Sequence, residues 1–501
     1  MDYQIEIDEL TMKRRLLLFT TIFLVVIFVK HVRAESLTLT LDEVTRAALE
    51  NNLGLQLERL NPKIQQENLI ASEAEYDTSF SLEGTSGKTN TDETFSDKET
   101  IDYGASTGLS KKFLFGTDVS ATFDWTDKEI EQGPNVADGD TATATLVVSQ
   151  PLLKNRGTEV NRRLISLAEN DLSVADLSLK QTLIDTVAEA KNLYWNYYYA
   201  LAFFEVQKSS LALAESSLDE ITERIRLGSS PKLDLLQAKA EVAAREEGVI
   251  SSENSLFNAQ DQLLNYIYGS ITTADRVEPG DPPALHVVDK DENELLEQAY
   301  SLRTELLVAK LQLASAETDI TYFDNQRLPQ LDLSATIMAN DGDAGTTIDS
   351  TDFAADNFED YQYAGVGLSL ELPIGRRLGN ANHAAALLKK RQNVIDQQNI
   401  RSMIKVEVRA ALRTMKASYK RYKAAALSKE YAVESLATEE EKYRSGLSTS
   451  YQVMLFQRDL TDARASEIDA VADYQMAIIA LYKAVGITLE QNNIRFDEVV
   501  Q

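Results

Sequence analysis

The side chains that do most enzyme chemistry are scarce in this chain of 501 residues, which has no Cys and three His. Zero Cys excludes a disulfide scaffold, a Cys nucleophile, a Cys metal site and a lipidated N-terminal Cys. Beyond the first 34 residues the imidazoles are His286 and His383, so His-based metal or acid–base chemistry is poorly supplied. There is no GxxxxGK[ST] phosphate loop, no hydrolase constellation and no paired-carboxylate motif on a recognisable loop. Neither an enzyme nor a cofactor is expected. Carboxylate, by contrast, is abundant: 79 Asp and Glu stand against 50 Lys and Arg, a net charge of −29. That balance argues against nucleic acid, whose partners carry a basic patch. It suits a solvated acidic exterior.

Two glycines stand where backbone conformation matters. Leu227-Gly228-Ser229-Ser230-Pro231 and Ser445-Gly446-Leu447-Ser448 each read as a short turn between two long helices. Gly228 and Gly446 fit a helix C′ cap, where φ is positive, and Pro231 suits the first turn of the next helix. The helices themselves are written in heptads. Leu183, Ala190, Tyr197, Phe204, Leu211, Leu218 and Ile225 recur every seven residues, as do Leu236, Ala243, Ile250, Phe257 and Leu264. Phe456, Ala463, Ala470, Ala477 and Ala484 repeat the pattern, and Val408, Met415, Tyr422, Leu436 and Tyr443 keep it with one lapse at Lys429. A sustained repeat of seven predicts left-handed coiled-coil packing. The many Ala and Tyr at these positions predict a sheet-like layer of helices rather than a thick bundle.

Elsewhere the period is two. Val119, Ala121, Phe123 and Trp125 alternate with Asp118, Ser120, Thr122 and Asp124; Ala142, Ala144, Leu146 and Val148 alternate mainly with Thr. Leu331, Leu333, Ala335, Ile337 and Ala339 do the same, as do Ala364, Val366, Leu368, Leu370 and Leu372. Strands of this kind fit either a soluble half-buried sheet or membrane strands with lipid on one side and water on the other. Export favours the second. Lys13-Arg14-Arg15, an apolar run from Leu16 to Val29 and Val32-Arg33-Ala34 form a secretory signal, with cleavage expected between Ala34 and Glu35.

The pattern is duplicated. Ala48, Leu55, Phe80 and Leu82 lie 251 residues before Ala299, Leu306, Leu331 and Leu333. Pro151 and Gly157 lie 222 before Pro373 and Gly379, and Leu218, Arg226 and Gly228 lie 218 before Leu436, Arg444 and Gly446. The drop from 251 to 222 gives the first copy extra β-structure, with Leu114-Phe115-Gly116 as a turn between two added strands. The expected organisation is a signal peptide 1–34 and a first repeat 35–276, with β-segments about 78–149 and a helix pair about 158–268. A linker 277–290 then leads to a second repeat 291–490, with β-segments about 330–373 and a helix pair about 380–486, and a tail 491–501.

An exported chain with two helix–strand–strand–helix units and Gly-centred hairpin tips resembles the TolC-type outer-membrane efflux protein family. Segments similar to the family's are Leu41-Asp42-Glu43-Val44 with Ala47 and Ala48, Gln150-Pro151-Leu152-Leu153, Leu372-Pro373-Ile374-Gly375 and Tyr443-Arg444-Ser445-Gly446. The resemblance implies a homotrimer whose strands share one β-barrel among outer-membrane lipid and whose helices form a periplasmic α-barrel. It implies a passive exit duct of a tripartite efflux or type I secretion system, completed by a periplasmic adaptor and an inner-membrane transporter. Four strands per chain are usual in the family; the added segment makes six an alternative. The resemblance also places a constriction at the helix tips. It makes Asp234 and Tyr443 a hydrogen-bonded gate pair and sets Gln452 and Leu455 where the family carries selectivity Asp residues. Leu227, Gly228, Ser229, Gly446, Leu447 and Ser448 become the adaptor-docking tips. Asp234 also reads as a favourable first-turn carboxylate, and Tyr443 as heptad packing. The competing reading is a periplasmic coiled-coil adaptor or scaffold that spans no membrane.

Overall fold

The computed structural model describes residues 37–91, 98–132, 135–228, 231–269, 277–283, 285, 290–344 and 361–496. The expected signal, with Ala34 and Glu35, lies outside them. The first copy opens with β1 (Leu37–Leu39), α1 (Leu41–Asn51), α2 (Leu53–Glu58) and α3 (Leu60–Glu73). A reciprocal cap starts α1: the Glu43 N–H donates to the Thr40 hydroxyl, and the Thr40 N–H donates to the Glu43 carboxylate. Four strands follow, β2 (Thr78–Thr91), β3 (Lys98–Lys112), β4 (Asp118–Gln132) and β5 (Asn135–Pro151). Leu114-Phe115-Gly116 turns between β3 and β4, with Gly116 at φ 99°. Then come α4 (Thr158–Asn161), α5 (Arg163–Arg226) and α6 (Lys232–Tyr268). The second copy has β6 (Val277–Pro279), α7 (Glu292–Leu302), α8 (Thr304–Asn325), β7 (Gln330–Ala344), β8 (Tyr361–Glu371), α9 (Arg377–Arg444), α10 (Ser450–Val485) and α11 (Thr488–Gln491).

β2 to β5 join β7 and β8 in one antiparallel sheet of six strands, in the order β2-β3-β4-β5-β7-β8. Residues directly opposite in such a ladder share a face. Phe80, Leu109, Ala121, Leu146, Ile337 and Ala364 form one continuous row across all six strands. Val119, Val148, Ala335 and Val366 form a parallel row. The rows between them, such as Ser110, Ser120, Val147, Thr336 and Gly365, face the other way and are mostly small or polar. The two-residue period therefore sums to a sheet with one apolar face and one largely polar face. Phe80, Leu82, Leu368 and Leu370 are all exposed.

At about 1.5 Å per residue, α5 (64 residues) and α9 (68 residues) each run roughly 100 Å. Shorter helices flank them in two tiers. Near the sheet the packing order is α3–α5–α8–α9; toward the turns it is α6–α5–α10–α9. Buried Tyr194, Tyr197, Leu263 and Ile267 hold the first copy's core, and Leu306, Val408, Met415 and Leu481 the second's. The lapse at Lys429 has a reason: its ammonium pairs with Glu467 of α10 at 2.7 Å.

Three expectations need correction. On α6, Leu236, Ala243, Ile250 and Phe257 do not form the buried stripe; Leu236 and Ile250 are about two-thirds exposed. The buried side is Ala238, Ser252, Leu256, Ala259, Leu263 and Ile267. This helix carries two apolar faces; the heptad count followed the outward one as far as Phe257 and met the buried one at Leu264. The linker is partly structured, because Val277–Pro279 pairs in parallel with Leu37–Leu39. Its Asp281 carboxylate accepts from the Leu41 N–H at 2.6 Å, fastening the junction to α1. Pro231, finally, caps α6 from just outside rather than sitting in its first turn.

Candidate functional site

The α5–α6 and α9–α10 turns sit at the end of the molecule away from the sheet. Gly228 and Gly446 have φ of 81° and 72°, the left-handed values a C′ cap requires. At the second turn the Gly446 N–H bonds the Tyr443 carbonyl and the Leu447 N–H bonds the Lys442 carbonyl. This doubled closure throws Leu447 outward, where it is 80% exposed; Leu227 on the other tip is 67% exposed. Ser229 lies outside the described residues. Ser448 is not a free tip hydroxyl: it donates to the Glu439 carboxylate, which also accepts from Lys442 at 3.1 Å. Those two bonds, Ser448 first, hold the Glu439 carboxyl below its usual value. Glu439 thus clasps the turn from one helix to the next.

Below the tips the two hairpins lock together. Ile221, Ala238 and Met454 join α5, α6 and α10 in one buried cluster. Leu436, Val453 and Leu460 join α9 to α10 in another, with Tyr443 and Leu213 packed on it. A polar ladder continues upward between α5 and α10. Gln457 donates to Ser217 at 3.1 Å, and Thr461 to Ser210 at 3.0 Å.

The structure brings Asp234 and Tyr443 into one neighbourhood without bonding them to each other. Asp234 is in the first turn of α6, and its backbone N–H bonds Pro231. The half-buried Tyr443 ring is covered instead by the Arg224 guanidinium, 4.3 Å from the ring centroid. Arg224 is itself held by Glu220 at 2.7 Å. Burial pushes the Tyr443 phenol above its ordinary value; Arg224 opposes the shift, while Glu220 and Asp234 add to it. The contact across the two copies is therefore a cation over an aromatic face. Sequence reasoning missed Arg224; the Glu220–Arg224 spacing of four on one helix was the available signal. Gln452 is exposed on the first turn of α10, and its N–H bonds the Thr449 cap at 3.3 Å. Leu455 lines a groove of about 260 Å³ against Gln237 and Glu241 of α6. It sits beside the α6–α10 contact, one helical turn on from Gln452.

Among the described residues no group of His, Asp and Glu is arranged to hold a metal, and no helix is long and apolar enough to cross a membrane.

Residues 295–487 match the family described as outer membrane efflux protein. The chain is 24% identical over 338 residues to outer membrane protein TolC of Vibrio cholerae, covering 66% of this chain and 74% of that protein. It is 26% identical over 359 residues to outer membrane protein TolC of Escherichia coli, covering 66% and 67%. The fold matches that of the Campylobacter jejuni CmeC outer membrane channel with a TM-score of 0.65, at 15% identity over 89% of this chain and 85% of that one.

Proposed function

We propose, from the match of residues 295–487 to the outer membrane efflux protein family and the likeness to the two TolC proteins, that the chain is a member of that family and the passive exit duct of a tripartite efflux or type I secretion system. It is an outer-membrane protein that reaches into the periplasm. The observation that carries the duct reading is the two-faced sheet. Its apolar rows suit lipid and its polar rows suit water.

Six strands are too few to close. An eight-stranded barrel is only just wide enough to be filled by its own side chains, whereas 16 to 18 strands leave an aqueous channel. Among the described residues β2 and β8 each end the sheet with an unpaired edge, of 14 and 11 residues. Exposed edges that long invite pairing with other chains. Three copies joined edge to edge give a barrel of eighteen strands, and exposed apolar side chains of α3 (Ile64, Ile70), α6 (Leu236, Ile250) and α9 (Leu388, Val406) then meet between copies. The helices continue the conduit through the periplasm. The tips form its inner mouth, with Tyr443, Arg224 and Asp234 as the constriction that an adaptor docking at Leu227 and Leu447 releases. No Asp stands at Gln452 or Leu455, so this mouth selects cations less strongly than one ringed with carboxylates. Energy comes from an inner-membrane transporter.

The test is to extract the protein from the outer-membrane fraction in mild detergent and measure its protein mass by light scattering. Three chains are expected. A monomer that washes off the membrane makes the periplasmic scaffold the better reading.

A further inference from the structure

The apolar stripe of β8 does not stop at the end of the strand. Ala364, Val366, Leu368 and Leu370 alternate on one face, and Leu372 and Ile374 stand at the next two alternate positions, in the turn toward α9. Leu372 is half exposed and Ile374 is fully exposed. Immediately afterward the chain becomes cationic, with Arg376 and Arg377. The ends of β5 and β8 flank the start of β7, so Lys154 arrives beside them, its N–H on the Pro329 carbonyl at 3.3 Å. The duplication is visible here: Pro151 and Pro373 are each followed three residues later by a cation, Lys154 and Arg376. The fold gathers both into one groove of about 400 Å³.

The groove's charges are not used inside the chain. Among the described residues the side chains of Lys154, Arg376 and Arg377 have no ion-pair or hydrogen-bond partner. A fourth cation, Arg327, is held by Asp324 at 2.9 Å and by Asn380 at 3.1 Å. Glu371 is the carboxylate in the lining, so the groove stays net positive in a chain of net charge −29. Three unpaired cations beside a fully exposed Ile, where a lipid-facing stripe ends, match the two halves of a phospholipid: phosphate above, acyl chain alongside.

We propose that this groove binds an anionic glycerophospholipid of the periplasmic leaflet, its headgroup phosphate on Lys154, Arg376 and Arg377 and its acyl chain on Leu372 and Ile374. The bound lipid sets the height of the barrel in the membrane at the joint where strand passes into helix. The proposal rests on the outer-membrane reading above.

The full-length protein, purified in mild detergent, is mixed with phosphatidylglycerol or phosphatidylethanolamine, and retained lipid is counted by native mass spectrometry. Phosphatidylglycerol should be held in preference by roughly 30-fold, the factor for two net cations at about 1 kcal/mol each. The variant Lys154→Gln/Arg376→Gln/Arg377→Gln should lose that preference, and Ile374→Asp should weaken retention of both lipids. Millimolar inorganic phosphate should not displace the lipid, because it lacks the acyl chain; complete displacement overturns the lipid assignment. Equal retention of the two lipids by the unmodified protein overturns the proposal while leaving the outer-membrane reading intact. A protein that is water-soluble and holds neither lipid overturns both. A triple variant that dissociates into single chains while keeping its lipid preference shows instead that the groove is a contact between copies.

Discussion

If Arg224 over the Tyr443 ring is what couples the two hairpins at the tips, then the aromatic face matters and the phenol hydroxyl does not. The guanidinium lies 4.3 Å from the ring centroid, and the Arg224 side chain is about one-third exposed at 32%. A partly wet cation–π contact of this kind is worth about 1 kcal/mol. The Glu220–Arg224 pair lies within one helix and contributes nothing between hairpins. Arg224→Met should therefore shift the balance between closed and open tips about fivefold toward open. The assay is single-channel recording of the full-length protein in planar lipid bilayers, scoring the fraction of time in the larger conductance state. Tyr443→Phe keeps the ring and should match the parent within twofold, whereas Tyr443→Leu should behave like Arg224→Met. The double variant Arg224→Met/Tyr443→Leu should add little to either single change, because both remove one contact. A Tyr443→Phe effect as large as that of Arg224→Met would refute this reasoning. It would return the gate to the Asp234–Tyr443 hydrogen bond that family resemblance implies.

Further expectations concern the joint between the helix tiers, the tip and the assembly. Arg303 donates to Glu305 at 2.6 Å, to Glu407 at 2.9 Å and to the Ala484 carbonyl at 2.9 Å, so it ties α8, α9 and the end of α10. Breaking a buried pair costs about 3–5 kcal/mol, and water near the half-exposed Glu407 reduces this to about 2. Arg303→Met should speed amide exchange in the last turn of α10 about 30-fold, read by hydrogen-exchange mass spectrometry. At the tip, Ser448 and Lys442 lower the Glu439 carboxyl from its usual 4.5, so its contribution is fully present above pH 4.5 and is lost as pH falls through the lower folded value. Corrected for the intrinsic pH dependence of amide exchange, protection at Leu447 and Ser448 should fall on acidification in the parent and be flat with pH in Glu439→Gln. Outward Phe257 is a contact between copies in this account, so Phe257→Glu should move the light-scattering mass from three chains toward one.

Much of this was legible because the repeats are simple. A period of two fixes faces, so Ala121, Leu146, Ile337 and Ala364 were assignable to the apolar side of their strands before any register was known. The fall in offset along the two copies pointed to an added hairpin at Leu114-Phe115-Gly116 but left the count open between four strands and six; the sheet has six. A period of seven is more ambiguous. On α6 it found Leu236, Ile250 and Phe257, because nothing in a single helix distinguishes a face packed within the chain from one turned outward. Contacts that span the fold were not readable at all. Glu439 reaches Ser448 across a turn, Arg224 reaches Tyr443 across the two copies, and Asp281 reaches back to Leu41. Each joins residues whose meeting depends on the tertiary arrangement, and none has a local spacing that announces it.

The most direct test of the account is ionic current through the purified protein in a planar lipid bilayer. A duct made of three chains with a polar inner wall should give discrete, stable conductance steps, each step requiring one trimer. Protein that comes from the outer membrane as a trimer yet leaves the bilayer silent under every applied voltage and after Arg224→Met would contradict the claim that its strands and helices enclose a water-filled path.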